Sequence, residues 1–240
     1  LIRENNTKEV KKLISQEGFD INIQDANGNT PLMHAILKRN QQMVQLIIEA
    51  KANVNIKNKD GLTALIFALT NRNDRIFNMI IESGADIEIK DNDGNTALMY
   101  AAMNKNQILA KTLIDAKANV NIKNKNGLIA LNYALNSGNN EVAKMLIENG
   151  ADIKMKDING NDSFMYVAYN NRINLIPLFT NSVNVNSTNN VGRTALILAS
   201  INGNRDMTQA LINLKADLNI KDKDGNTALM YSTFNNKIAL

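Results

Sequence analysis

The chain of 240 residues has no Cys, no Trp, two Pro and one His. Without Cys there is no disulfide framework, no zinc finger and no thiolate chemistry, which fits a reducing compartment. No apolar run approaches the ~18 residues that a bilayer-spanning helix needs. Charge of one sign is scarce too. The 27 Lys and Arg against 23 Asp and Glu leave a net +4, spread along the chain without the basic block that tracks a phosphate backbone. Leu1 to Glu4 carry no signal-peptide pattern. Converging catalytic groups are missing: His34 stands alone, no phosphate-binding loop of the Walker type occurs, and Ser and Asp are scattered at equivalent positions. The stretches DNDGN (91–95) and DKDGN (222–226) share a calcium loop's opening but lack the acidic residue at its far end.

What the chain has instead is repetition. DGNTALMYA at Asp93 returns as DGNTALMYS at Asp224, and weaker copies start at Asn27, Asp60, Asn126, Asn159 and Val191. The glycines of the seven copies are Gly28, Gly61, Gly94, Gly127, Gly160, Gly192 and Gly225, spaced by 33, 33, 33, 33, 32 and 33 residues. Such a period predicts one supersecondary unit stacked many times. About one residue in six is Asn, which reads as compositional bias.

Each unit is legible locally. A polar turn such as IKDNDG (89–94) precedes the Gly, which supplies a positive φ. Two residues later, Thr30, Thr63, Thr96, Thr194 or Thr227 stands before an apolar run, as a helix N-cap does. Pro31 suits a first helical position. The run predicts a helix of about eight residues, Ala97–Asn104 for example. Asn40, Asn73, Asn106, Asn139 and Asn204 then start a second helix, whose apolar residues (Val142, Ala143, Leu146, Ile147) share one face. Gly84 and Gly150 close it as left-handed caps, with Lys51, Lys117 and Lys215 in the same slot elsewhere. Lys there costs about 1 kcal/mol relative to Gly.

A longer period lies within the first. Three residues before each Gly, Asp25, Asp91, Asp157 and Asp222 alternate with Asn58, Asn124 and Asn189. The array reads as duplicated blocks of two units. One unit departs: Pro177 falls inside its second helix and a one-residue deletion follows near TNSVNVN, marking either a degenerate unit or a hinge. The chain opens on the second half of a unit and stops early in another, without polar capping units, which predicts a longer native polypeptide.

The period, the core GNTPLMHA and GNTALMYA, and the closing GADIEIKDNDG and GADIKMKDING resemble the ankyrin repeat family over essentially the whole chain. The resemblance implies an all-α, right-handed α-solenoid of helix-turn-helix units joined by β-turn or hairpin loops. It has about seven repeats in a single domain 1–240: a partial repeat 1–24, then repeats starting near 25, 58, 91, 124, 157, 189 and 222, the last truncated. The family's His after the core Leu is replaced by Met33, Ile66, Met99, Asn132, Met165, Ile197 and Met230, so the family's hydrogen bonds from that His should be absent.

In the family the first helices and turn tips line a concave groove. The resemblance therefore marks a column six residues past each Gly as partner-binding: His34, Phe67, Tyr100, Tyr133, Tyr166 and Tyr231, with Leu198 in the same slot. Tyr is a rigid amphipathic anchor at interfaces, although such rings also pack between neighbouring units. A second column three residues on adds Met103, Tyr169, Ile201 and Phe234, beside Leu37, Thr70 and Asn136. The turns add Lys59, Lys125, Leu62, Leu128 and Arg193, with Ile158 at a tip. A further column, Lys57, Lys90, Lys123, Lys156 and Lys221, reads as solvated scaffold.

The function expected is a non-catalytic scaffold that binds a protein partner through the groove, with no cofactor, no metal, no small-molecule substrate and no membrane span. The alternatives are a recognition module of a longer enzyme or secreted effector, and a weakly basic nucleic-acid-binding surface.

Overall fold

Thirteen α-helices of seven to nine residues and one 3-10 helix form the regular structure of the described residues, with no strand among them. The structure is a computed structural model and describes residues 7–180 and 182–234. The readings of Leu1 to Glu4, of Asn5 and Asn6, and of a helix beginning after Phe234 lie outside the described residues.

Helices this short are marginal alone, so packing must hold them. First helices are α2 (Pro31–Leu37), α4 (Ala64–Thr70), α6 (Ala97–Met103), α8 (Ala130–Ser137), α10 (Ser163–Tyr169), α11 (Ala195–Ile201) and α13 (Ala228–Phe234). Second helices are α1 (Thr7–Ile14), α3 (Gln41–Glu49), α5 (Asp74–Glu82), α7 (Gln107–Asp115), α9 (Asn140–Glu148) and α12 (Arg205–Asn213). The expected helix 97–104 ends one residue sooner, with Asn104 as its C-cap.

The chain divides into two compact units, Leu1–Asn119 and Val120–Leu240. In the first, α2 stacks on α4 and α4 on α6, while α1, α3 and α5 form a parallel row and each first helix pairs with the second helix after it. In the second, α8 stacks on α10, α10 on α11 and α11 on α13. First helices are buried on most sides, as Leu65, Ile66, Ala68 and Leu69 are in α4. Second helices bury one stripe: Met43, Val44 and Ile47 in α3, and Ile76, Phe77 and Ile80 in α5. Each large side chain so buried contributes about 1.5–3 kcal/mol.

Most helix starts follow the sequence. Thr30 and Thr194 accept hydrogen bonds from the N–H groups of Met33 and Ile197, and Asp162 does the same for Met165. Thr63 and Thr96 have the extended cap backbone without a side-chain bond. Asn40, Asn73, Asn106 and Asn139 cap the second helices. Asn204 instead donates its amide to the carbonyls of Ala168 and Tyr169. One exchange preserves a cap: Ile129 stands where other units have Thr, and Asn132 accepts the Ile129 N–H at 2.9 Å.

The corners after the second helices are left-handed. Gly84 and Gly150 have φ of 88° and 86°, and Lys51, Lys117 and Lys215 have 62°, 68° and 64°. Lys117→Gly is therefore expected to stabilise the fold by about 1 kcal/mol, read as a rise in the urea midpoint. The sequence did not announce a second left-handed corner, between the two helices, at Arg39, Arg72, Lys105 and Asn171.

Pro177 shortens its unit. Where α3, α5, α7, α9 and α12 each have nine residues, residues Ile173–Leu178 form a 3-10 helix. It still packs against α9, α10 and α12, buries Leu175 and Ile176, and sets the Phe179 ring 5.7 Å from that of Phe164.

Candidate partner-binding face

Seven equivalent turns carry the face. In each, the Asp or Asn three residues before the Gly accepts two backbone N–H groups on its Oδ1, from the residues two and four positions on. Asp25 holds Asn27 and Asn29, and Asn58 holds Asp60 and Leu62. Asp91, Asn124, Asp157, Asn189 and Asp222 repeat the arrangement. Within the first unit, successive turns join through Lys59 N–H to the Asn27 carbonyl and Asn92 N–H to that of Asp60. Within the second, the bonds run from Ile158 to Asn126, Asn190 to Asn159 and Lys223 to Val191.

The second polar atom of that side chain explains the alternation. Asp91, Asp157 and Asp222 accept on Oδ2 the hydroxyls of Tyr100, Tyr166 and Tyr231, nine residues on, at 2.7, 2.6 and 2.6 Å. The Asp25 carboxylate meets His34 Nε2 at 2.8 Å in the same way. Asn58 and Asn189, which carry an NH2 there, reach back to the Oδ1 of Asn29 and Asn161 in the turn before, at 2.9 and 2.8 Å. Asn124 donates to the Tyr133 hydroxyl at 2.9 Å. Every Asp turn thus has a donor in the column, whereas Phe67 and Leu198 accompany Asn. That pairing was the available sign that the polar tips of the column serve the turns.

Electrostatics follow the bonds. The Asn29 backbone N–H foremost, with help from the His34 ring, lowers the Asp25 carboxyl from an ordinary 3.8 to about 2. Burial pushes the Asp91 carboxyl up, but the Tyr100 hydroxyl and the Asn95 and Asp93 amides outweigh it and leave it below the ordinary value. Asp222 is lowered despite burial by Tyr231, the Asn226 amide and Arg193. A carboxyl lowered in the fold adds stability above its unfolded value and loses it as pH falls through the folded one. The urea midpoint is therefore expected to hold steady above about pH 5 and to fall steeply between about pH 4 and 2. Tyr166 works at the other end: burial, and the Asp157 carboxylate behind it, push its hydroxyl above the ordinary 10.0. Its contribution is complete below pH 10.0 and disappears in stronger alkali.

In the first unit, His34, Phe67 and Tyr100 lie half-buried on the stacked helices α2, α4 and α6. Leu62 is half-buried and Lys59 exposed in the turn before α4. Met103 at the end of α6 is 39% exposed, and Leu37, its counterpart on α2, 47%. In the second unit, Tyr133, Tyr166 and Tyr231 are half-buried, as are Leu128, Arg193 and Ile201, and Lys125 is exposed. Tyr169 and Phe234 are 48% and 87% exposed. Tyr166, Tyr169 and Arg193 line one cleft of about 340 Å³. Arg193 bonds the Asp222 carboxylate and the Tyr231 hydroxyl and lies 5.5 Å from the Tyr231 ring centre. Asn159 lines the same cleft, and Val191 is exposed on the adjoining tip; the sequence reading passed over both.

The Lys column also has work within the fold. Lys123 and Lys156 donate to the carbonyls of Lys156 and Thr188, one turn on, at 3.0 and 2.9 Å. Gln24 makes the same bond to the Lys57 carbonyl.

A family profile described as ankyrin repeats (3 copies) matches residues 1–91, 73–157 and 164–240. The chain belongs to the ankyrin repeat family. Among solved structures it is similar to the ankyrin repeat domain of Bcl-3, described as a unique member of the IkappaB protein family. The two are 26% identical, the match covers 85% of this chain and 94% of that one, and the TM-score is 0.72. In the slot of the usual ankyrin His, Met33, Ile66, Met99, Met165 and Ile197 are each 1% exposed. These ankyrin turns are tied through Asp and Asn side chains instead.

Proposed function

We propose that the chain is a non-catalytic binding module that holds a protein partner against the face of its first helices and turns. The observation that carries the reading is that large apolar side chains are left in solvent at the ends of buried first helices, Leu37 and Met103 in the first unit and Tyr169 in the second. Exposed apolar groups set among polar ones favour association. The turns are locked by repeated hydrogen bonds, so little loop order is lost on binding. Among the groups suited to chemistry, the Asp25, Asp91, Asp157 and Asp222 carboxylates, the Tyr100, Tyr166 and Tyr231 hydroxyls and His34 are engaged in holding turns. Nucleic acid is disfavoured because the net charge is only +4 and the Lys123 and Lys156 ammonium groups are tied to backbone carbonyls of their own fold.

The intact chain, used as bait in extracts of its own cell, is expected to capture defined polypeptides. Changing Leu37, Met103 and Tyr169 together to Lys should abolish capture with the melting temperature unchanged. Capture that survives the triple change refutes this face. Capture that collapses between 50 and 200 mM salt points instead to nucleic acid.

A further inference from the structure

Turn tips in this chain are charged or amide-bearing almost everywhere. Lys59 with Asp60, Asn92 with Asp93, Lys125 with Asn126 and Lys223 with Asp224 occupy the two residues before the Gly. The first turn carries the small Ala26 beside Asn27, and the fifth and sixth carry large aliphatic tips: Ile158 and Val191 are 61% and 46% exposed. These two tips adjoin, because Asn190 donates its N–H to the Asn159 carbonyl and its side-chain amide to that of Ile158, both at 2.9 Å. Beside them opens the cleft of about 340 Å³. Buried Met165 and half-buried Leu198 form its apolar lining, Asn136 and Asn159 stand exposed at its edges, and Tyr169 is exposed beside them.

Only one ionised side chain lines this cleft, Arg193. It occupies the slot that holds Leu62 and Leu128 in other turns. Its pairing with Asp222 is a single contact of 3.3 Å, and the Asp222 side chain is 1% exposed against 32% for Arg193. The charge that reaches solvent is therefore positive. A guanidinium has five N–H donors, and the bonds to Asp222 and Tyr231 occupy two.

We infer that this cleft takes an extended acidic segment of a protein partner, with an apolar side chain placed on Leu198, Ile158 and Val191 and a neighbouring carboxylate on Arg193. The segment's backbone is paired by the side-chain amides of Asn159 and Asn136, the latter through its N–H donors because its Oδ1 accepts the Asn170 amide at 2.9 Å. A phosphate backbone does not fit the site, because one cation cannot compensate a run of phosphates. The inference rests on the binding-module reading above and narrows it to one place and one chemistry.

The test uses a displayed library of random 12-residue peptides selected on the intact chain. The comparison is a variant carrying Ile158→Lys, Val191→Asp and Arg193→Leu. Each new residue already stands at an equivalent position, as Lys59, Asp60 and Leu62 do, so the fold is expected to persist. Ile158→Lys alone serves if the triple variant unfolds. Enriched peptides should pair an aliphatic or aromatic residue with Asp or Glu and bind the variant about tenfold more weakly or worse. Peptides held equally by the variant, or rich in Lys and Arg, overturn the inference. So does self-association of the chain, read by sedimentation, that the variant removes, because a second copy would then be the occupant. If selected peptides ignore these changes but are lost on Leu37→Lys with Met103→Lys, the cleft is wrong and the binding module stands. If no peptide binds the intact chain, this inference falls, and the binding module is then decided by the extract capture above.

Discussion

Gly61→Ala is expected to lower stability by about 2–4 kcal/mol, whereas Gly84→Ala costs about 1 kcal/mol. Both residues have positive φ, 80° and 88°, so the conformational penalty of a side chain is shared. The surroundings differ. A Cβ on Gly61 would stand 2.5 Å from the Asn92 nitrogen and 2.8 Å from the Asp91 carbonyl carbon, both backbone atoms of the next turn. A Cβ on Gly84 would meet nothing within 4 Å. Relief at Gly61 requires the two turns to part, which stretches the Asn92 to Asp60 bond and displaces the carboxylate that holds the following turn. Urea unfolding of the two variants side by side measures the difference. Equal losses would show that the two turns are not closely apposed.

Asp157→Ala is the second large effect, a loss of about 3 kcal/mol or more, because hydrogen bonds to an ionised group are worth about 1.5–3 kcal/mol each and buried donors suffer when left alone. One carboxylate accepts the N–H groups of Asn159 and Asn161 at 2.8 Å, the Asn161 side-chain amide at 3.0 Å and the Tyr166 hydroxyl at 2.6 Å. Asp157→Asn should cost about 1 kcal/mol, since Asn holds the same backbone pair in other turns but sets its NH2 against the Asn161 amide. Tyr166→Phe should also cost about 1 kcal/mol, because it removes one bond and leaves the turn tied. The series Ala, Asn and then Tyr166→Phe, followed by urea unfolding, separates the turn's own bonds from the link to the helix. An Asp157→Ala loss within 1 kcal/mol of zero would mean that backbone bonds alone hold the turn.

Much of this architecture was legible because its determinants are local. The period, the Thr and Asn caps, the left-handed Gly84 and Gly150 corners and the stripe of Val142, Ala143 and Leu146 each depend on residues within a few positions of one another. Roles that depend on contacts across units were hidden. The Tyr column read either as interface anchors or as rings packed between units, and neither reading foresaw that the hydroxyls of Tyr100, Tyr166 and Tyr231 answer to carboxylates nine residues earlier. The Lys column read as solvated surface, yet two of its members close on carbonyls one turn on. The cleft beside Arg193 was invisible for the same reason, as it is assembled from two turns and three helices. Pro177 announced an interruption, and only packing on Phe164 and Phe179 shows how the interruption is absorbed.

The Asp and Asn turns also carry a parity. An Asn58 or Asn189 amide needs an amide oxygen presented by the neighbour before it, and an Asp in that place would set two oxygens face to face. Removing or adding one unit therefore creates a mismatch, whereas removing or adding a pair restores every donor to an acceptor. Copy number in such a gene should drift in even steps, and chimaeras cut at matching members of the pair should fold better than those cut one unit out of phase.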